Sequence, residues 1–550
     1  MKKFIGAGLT KHNGVIMTSN TFDYVVIGGG SAGSVMAGRL SEDANTTVAL
    51  LEAGGKGDSW LVNIPAAAVA MLPTKINNYA FETVPQPGLN GRRGYQPRGK
   101  CLGGSSAINA MIYTRGHRVD YDHWASLGND GWSYDDLLPY FKKSENNASF
   151  KGGYHGNDGP LHVSHLQSHN PFQALYLNAA KEAGFPINDD FNGESQEGLG
   201  IYQVTHRNGE RWSAARGYLH PHMDKRHNLH VQTGVQVERI FFEGRRAAGV
   251  SYTQGGKQHI IRANKEVILC AGAFHTPQLL MVSGVGPAEQ LQKFGIPVIH
   301  DLPGVGKNLQ DHPDFIFGYS AKSLDLIGIS LGGTVRLTGE IMKYIRTRQG
   351  MIATNFAEAG GFLKTDPNLD APDVQLHFVV SLVEDHARKL HMAHGYSCHV
   401  CVLRPKSRGQ LTLASNSMHE APLIDPGFLK EDDDLETLVK GYKLTKKLMD
   451  APTFANIRQK DIFTPNVHTD DDIRQIIRNR ADTVYHPVGT CKMGNDAMSV
   501  VNSKLQVHGI EGLRVVDGSI MPTLIGGNTN APIMAIAEKA VDMIRSHRYN

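Results

Sequence analysis

The residues near the start of the chain that are best placed to do chemistry are three glycines and an acid. Gly28, Gly30 and Gly33 are spaced G-x-G-x-x-G, and Glu52 follows the last of them by 19 residues. In such a turn the first glycine permits a sharp reversal, the second lets the backbone approach a pyrophosphate, and the third lets a helix pack on a strand. Ser31 and Ala32 stand between them, where the first N–H groups of a helix face an anion. Glu52, with Ala53 beside it, is placed to bind a ribose 2′-OH and disfavours a 2′-phosphate. The chemistry is dinucleotide binding, by FAD or NAD rather than NADP. A lone glycine triplet is a weak signal, but the elements that must position this one are in register. Residues 21–27 are an apolar, β-branched run that reads as a buried strand, residues 34–40 have helical spacing, and residues 46–51 form a second strand ending at Glu52. Both candidate cofactors carry the same ADP half, so this unit does not separate them.

Three later segments bear on that choice. Residues 97–109 are rich in small and hydroxyl side chains and suit a loop against a flat ligand with phosphate or ribityl oxygens. Residues 267–273 read as a buried strand, with Thr276 as N-cap and Pro277 at the first position of the next helix. Residues 513–519 lead through 526–532 into a last helix that runs to about Ile544.

Together with 272–286, 304–312 and 485–494, these segments resemble the glucose–methanol–choline (GMC) family of flavoprotein oxidoreductases, from about Phe22 to Ile544. The chain is most similar to the bacterial FAD-dependent alcohol dehydrogenases and choline dehydrogenases. Residues 396–409 lean towards the aliphatic-alcohol members. The resemblance implies an α/β fold, with a Rossmann-like FAD-binding domain and a substrate-binding cap built on an antiparallel sheet. The FAD domain is expected over 21–160, 228–311 and 482–550, and the cap over 161–227 and 312–481. Gly28, Gly30 and Gly33 would hold the ADP pyrophosphate, and Val237 would meet the adenine through its backbone. Gly99, Gly103, Gly104, Ser105, Asn109 and Ala110 would lie along the flavin, with Ala271 nearby. Asp517, Gly518, Asn528 and Thr529 would close the isoalloxazine and ribityl end. Some relatives attach FAD through a histidine that is Ile108 here, so non-covalent FAD, released on denaturation, is expected.

Oxidising an alcohol removes a proton from oxygen and a hydride from carbon, the latter to flavin N5. Histidine titrates nearest operating pH and suits the proton. Among 26 histidines, His486 lies in the segment that matches the family's catalytic histidine and is assigned as general base. The family's second catalytic position, His or Asn, is read here as Asn530, which would orient the hydroxyl and stabilise alkoxide character. Asn530 also reads as a helix N-cap before Ala531-Pro532. His312, beside Pro313 and a Gly-rich loop, reads as structural. Glu358 reads either as the acid facing a choline-like ammonium or as a strand-end acid. An aromatic cage for such a cation would draw on Tyr79, Phe81 and Trp60. The expected reaction is oxidation of a primary alcohol to an aldehyde, with electrons passing to a quinone-type acceptor. Choline dehydrogenase, an oxidase using O2, and a GMC-fold lyase are the alternatives.

A net charge of +3 over 550 residues and no Lys/Arg cluster exclude nucleic acid as a partner. The cysteines are few, scattered and odd in number, which points to a reducing, cytoplasmic compartment. Cys398 and Cys401 fall in a strand with no second pair to complete a zinc site, and no metal is expected. Residues 1–20 read as a disordered leader, with Met17 an alternative start. No apolar run approaches a membrane span, so at most a peripheral association at the inner face of a membrane is expected.

Overall fold

The computed structural model describes residues 10–12, 15–17, 19–389 and 391–546. Most of the leader expected over 1–20 lies outside the described residues. Within it Thr10–His12 pairs antiparallel with Val15–Met17, where an unstructured segment is expected. Strand Ser19–Ile27 begins two residues before position 21 because it pairs along Lys257–Leu269 from Ile260 onward.

Two sheets organise the chain. The first has a parallel core in the order Leu229–Thr233, Val48–Glu52, Ser19–Ile27, Lys257–Leu269. Leu513–Val515 adds a further parallel strand beside the end of Lys257–Leu269. Strands buried on both faces need apolar side chains throughout, and Val48–Glu52 is buried at every position. An antiparallel meander, Val237–Glu243 and Arg246–Gln254, extends from the start of Lys257–Leu269. One hydrophobic core joins Val26, Val35, Leu50, Ile268, Val515 and Ile536, so pieces remote in sequence fold as one layer.

The second sheet is antiparallel at every pairing. Its order is Arg458–Asp461, Pro313–Ala321, Gly395–Val402, Val374–Val379, Ala357–Leu363, Gly198–Ile201. Helix Asp432–Met449 packs Leu438 and Tyr442 against Phe315, Phe317 and Val400 of this sheet. Asp482–Thr483, grouped by sequence with the nucleotide-binding segments, pairs instead with Pro313–Ala321. The chain therefore leaves the antiparallel sheet just before His486.

Helix Gly272–Val282 starts five residues earlier than expected, so Thr276 is not its cap and Pro277 lies inside it. A proline there leaves the carbonyl of Ala273 without its helical donor. The hydroxyl of Thr490 supplies one, at 2.7 Å. Thr276 Oγ1 instead donates to Asp517 at 2.6 Å and accepts from the Ala271 N–H at 3.1 Å. Cys398 and Cys401 are buried in Gly395–Val402, in separate hydrophobic clusters.

Candidate active site

One continuous cavity of about 540 Å³ runs from the glycine turn to His486 and is lined from both sheets. At the turn Gly28 has φ +92°, and a Cβ there would lie 2.7 Å from the carbonyl oxygen of Cys270. Only glycine suits that position. Gly33 lies behind the cavity wall, where a Cβ would come 1.8 Å from the Gly28 carbonyl. It lets helix Ser31–Leu40 seat on the turn. A Cβ on Gly30 would meet no protein atom nearer than Gly104 Cα at 3.9 Å, so it would enter the cavity itself. This is the cradle that a pyrophosphate needs, and Ser31 and Ala32 line it at the helix N-terminus.

Glu52 accepts from the N–H groups of Gly29 at 2.8 Å and Gly54 at 2.7 Å. Its carboxylate both shapes the turn and, with Ala53 and Val237, lines the cavity; burial pushes its pKa up. The N–H of Gly103 donates to the Gly29 carbonyl at 2.7 Å, so Gly103 braces the turn from behind. Gly99, Gly104, Ser105, Asn109 and Ala110 face the cavity. Buried Arg211, which sequence reasoning missed, holds Asn109 through its carbonyl at 2.6 Å and its Oδ1 at 2.8 Å. Ala271, Asp517, Gly518 and Thr529 line the opposite wall. Asp517 caps this wall by accepting from the N–H groups of Gly272 and Ser519, both at 2.8 Å. These residues fit a dinucleotide whose far end lies towards His486.

At that end the hydrogen-bond donors fix one another. His312 Nε2 lies 3.1 Å from two carbonyls, those of Leu403 and Ile525, and must carry a hydrogen. Burial lowers the His312 pKa to about 4, so the ring is neutral near pH 7 and its Nδ1 only accepts. His486 Nδ1, 3.0 Å away, is then the donor, and its Nε2 carries the lone pair. Burial, then the neighbouring His312, His377 and Arg98, holds the His486 pKa well below the ordinary histidine value. Asp311 aligns the two rings: one carboxylate oxygen accepts from the backbone N–H groups of His312 at 2.9 Å and His486 at 2.8 Å.

A second relay comes from the antiparallel sheet. Tyr202 donates its hydroxyl hydrogen to the Leu376 carbonyl at 2.7 Å, so Gln375 Nε2 must donate to it at 3.2 Å. The same Nε2 donates to Asn528 Oδ1 at 3.0 Å, joined by Thr114 Oγ1 at 3.1 Å. With its oxygen so occupied, Asn528 turns its NH2 to His486 Nε2, 3.3 Å away. A neutral imidazole and an amide donor thus meet at one point of the cavity.

Several expectations are corrected here. Asn528, not Asn530, is the amide beside His486. Asn530 is the first residue of helix Asn530–Ser546, and its Oδ1 accepts from Ser31 Oγ at 2.7 Å, at the glycine-turn end. His312, read as structural, is hydrogen-bonded to His486. Glu358 does not line the cavity. Ala357 does, and successive strand residues face opposite sides, so Glu358 points to Gln173 at 2.8 Å and to Thr354. The aromatic trio forms no cage: Tyr79 and Phe81 stack at 5.2 Å near Glu52 and Lys100, and Trp60 is 70% exposed.

The GMC oxidoreductase family models match residues 22–314 and 405–537. The chain is 46% identical to an alcohol dehydrogenase [acceptor] of Pseudomonas putida, over 95% of each chain. It is 42% identical to an oxygen-dependent choline dehydrogenase of Chromohalobacter salexigens, again over 95% of each. Among solved structures, an FAD-dependent oxidoreductase from Chaetomium thermophilum superposes with a TM-score of 0.87 at 28% identity, covering 96% of this chain and all of that one. With both family models matched and relatives above 40% identity over nearly the whole chain, the chain belongs to the GMC oxidoreductases and is an FAD-dependent enzyme.

Proposed function

We propose that the protein oxidises an uncharged primary alcohol with an apolar chain to its aldehyde, and passes the electrons to a quinone-type acceptor. The observation that carries this reading is the pairing of a neutral His486 Nε2 with the Asn528 amide hydrogen at one point of the cavity. The hydroxyl oxygen placed between them gives its proton to His486 Nε2, while Asn528 donates to the same oxygen as negative charge develops. Bound FAD supplies the hydride acceptor. His312 receives the Nδ1–H of His486, so the imidazole keeps the tautomer that a base requires.

The lining of this end supports a neutral substrate. Ile327, Phe356, Val379, Val383 and Val484 are apolar, and the cavity's acids are Glu52 and Asp517, both already bonded at the dinucleotide end. Asp314 does not line the cavity and holds His399 at 2.7 Å, and Glu358 faces away. A quaternary ammonium would therefore meet no carboxylate. Anaerobic FAD reduction by 1-octanol against choline tests this. Octanol is expected to have much the higher kcat/KM, and a preference for choline would overturn the assignment. Slow reoxidation of the reduced protein by air is expected, whereas rapid reoxidation would make O2 the acceptor.

Asn528 and Asn530 give a sharper test of geometry. Asn528→Ala removes a donor aimed at developing charge and is expected to slow FAD reduction by about 10²-fold. Asn530→Ala, directed at Ser31, should leave that rate near wild type. Equal losses, measured by stopped-flow absorbance, would contradict the arrangement.

A further inference from the structure

Helix Leu331–Thr347 is apolar on the side that faces water. Its one buried residue is Tyr344, whose hydroxyl donates to the Gly209 carbonyl at 2.9 Å. Leu331, Val335, Met342 and Ile345 are 92%, 76%, 47% and 60% exposed. At about 100° per residue these positions fall on one stripe, with Ile341 at its edge and Tyr344 on the opposite side. Such a stripe normally faces a core. Here it has none among the described residues.

Charge and position say what covers it. Of the cations in residues 331–349, Arg336 pairs with Asp325 and Arg348 with Glu210 at 3.8 Å, which leaves Lys343 and Arg346 against one acid of the segment, Glu340. Lys343 and Arg346 are exposed, with Arg346 on the flank of the stripe. The chain enters the helix from Ile327 and Ile329, which line the catalytic cavity, and Ile329 is 39% exposed. Across that opening Val69 lines the cavity while 43% exposed. Close by, the turn Pro65–Ala67 packs on Met351–Ala353, which follows the helix. Trp60, 70% exposed, stands before that turn. Exposed apolar residues thus border the cavity at Ile329 and at Val69. No helix among the described residues is long and apolar enough to cross a bilayer, so contact would lie in the interfacial plane.

We propose that this helix, with the Trp60–Val69 rim, docks the protein on an anionic lipid surface, with the cavity mouth against the bilayer. A second copy of the chain is the poorer occupant, because two such helices would set like charges against each other, whereas anionic headgroups complement them. The inference does not depend on the substrate assigned above.

The test is flotation of the full-length, FAD-loaded protein with phosphatidylcholine vesicles and with mixed phosphatidylcholine–phosphatidylglycerol vesicles. Wild type is expected to float with the mixed vesicles, less so at high salt. Val335→Glu/Ile345→Glu changes only exposed side chains. It should cut partition by about tenfold or more while alcohol-driven FAD reduction in solution stays at the wild-type rate. Lys343→Glu/Arg346→Glu should remove the preference for phosphatidylglycerol. Wild type that does not float, or a Val335→Glu/Ile345→Glu variant that floats like wild type, would overturn the proposal. Absence of lipid binding together with loss of self-association in that variant, by light scattering, would give the face to a second copy instead.

Discussion

Replacing His486 with alanine is expected to slow the reduction of bound FAD by alcohol by about 10²–10⁴-fold, while the purified protein keeps its yellow colour. The substitution removes the lone pair that takes the hydroxyl proton. It spares the glycine cradle, Glu52 and Asp517, which lie along the other end of the cavity. The backbone N–H of residue 486 would still donate to Asp311, so the turn after Tyr485 should persist. The pH profile carries the same claim in the wild type. Burial and the adjacent His312, His377 and Arg98 disfavour the charged ring, so protonation takes place below the ordinary value of about 6.5. A base works only when unprotonated. The reduction rate should be flat through neutral pH and fall only as pH drops through that depressed value. Stopped-flow reduction across pH measures both effects. A rate that falls already through neutrality would show a base with an ordinary or raised pKa.

Gly30→Val should yield a folded, colourless protein. Gly30 has φ −71° and ψ −156°, which valine can adopt, and its Cβ would strike no backbone. The added methyls would occupy the cavity where a pyrophosphate must pass over the helix N-terminus. Overpacking a well-fitted site costs about 1–3 kcal/mol or more, so FAD affinity should fall by about tenfold to a hundredfold at least. Gly33→Val is the control with the opposite failure: its Cβ would lie 1.8 Å from the Gly28 carbonyl, so it should lower Tm in the absence of FAD as well. Absorbance of the oxidised flavin after purification, with Tm, separates the two. A yellow Gly30→Val protein with unchanged Tm would mean that the cradle lies elsewhere.

The dinucleotide end was legible in the sequence because its geometry is local. A strand, a turn that only glycine satisfies and a helix N-terminus follow one another within residues 21–40, and each leaves a mark on residue type. The catalytic end was legible only through family resemblance, and only in part. The resemblance points to His486, but the amide that the structure sets beside that ring is Asn528, two residues before Asn530. In a loop, spacing does not say where a side chain points. Asn528 is aimed by Gln375, Thr114 and Tyr202, from segments hundreds of residues away. His312 looked structural because its neighbours are Pro313 and a glycine-rich loop, and its tautomer depends on the carbonyls of Leu403 and Ile525. Glu358 failed as a substrate contact through strand alternation: a shift of one residue changes the face, and no local signal sets which face meets the cavity. The water-facing stripe of Leu331–Thr347 has the same origin, since its periodicity marks one apolar side without saying what lies against it.

The most direct measurement of the central claim is anaerobic mixing of the FAD-loaded protein with a medium-chain primary alcohol, following oxidised-flavin absorbance and aldehyde together. Complete bleaching with one aldehyde formed per FAD is expected, retained in Asn530→Ala and slowed by about 10²–10⁴-fold in His486→Ala. No bleaching with any alcohol, as a GMC-fold lyase would give, or bleaching as fast without His486 as with it, would contradict it.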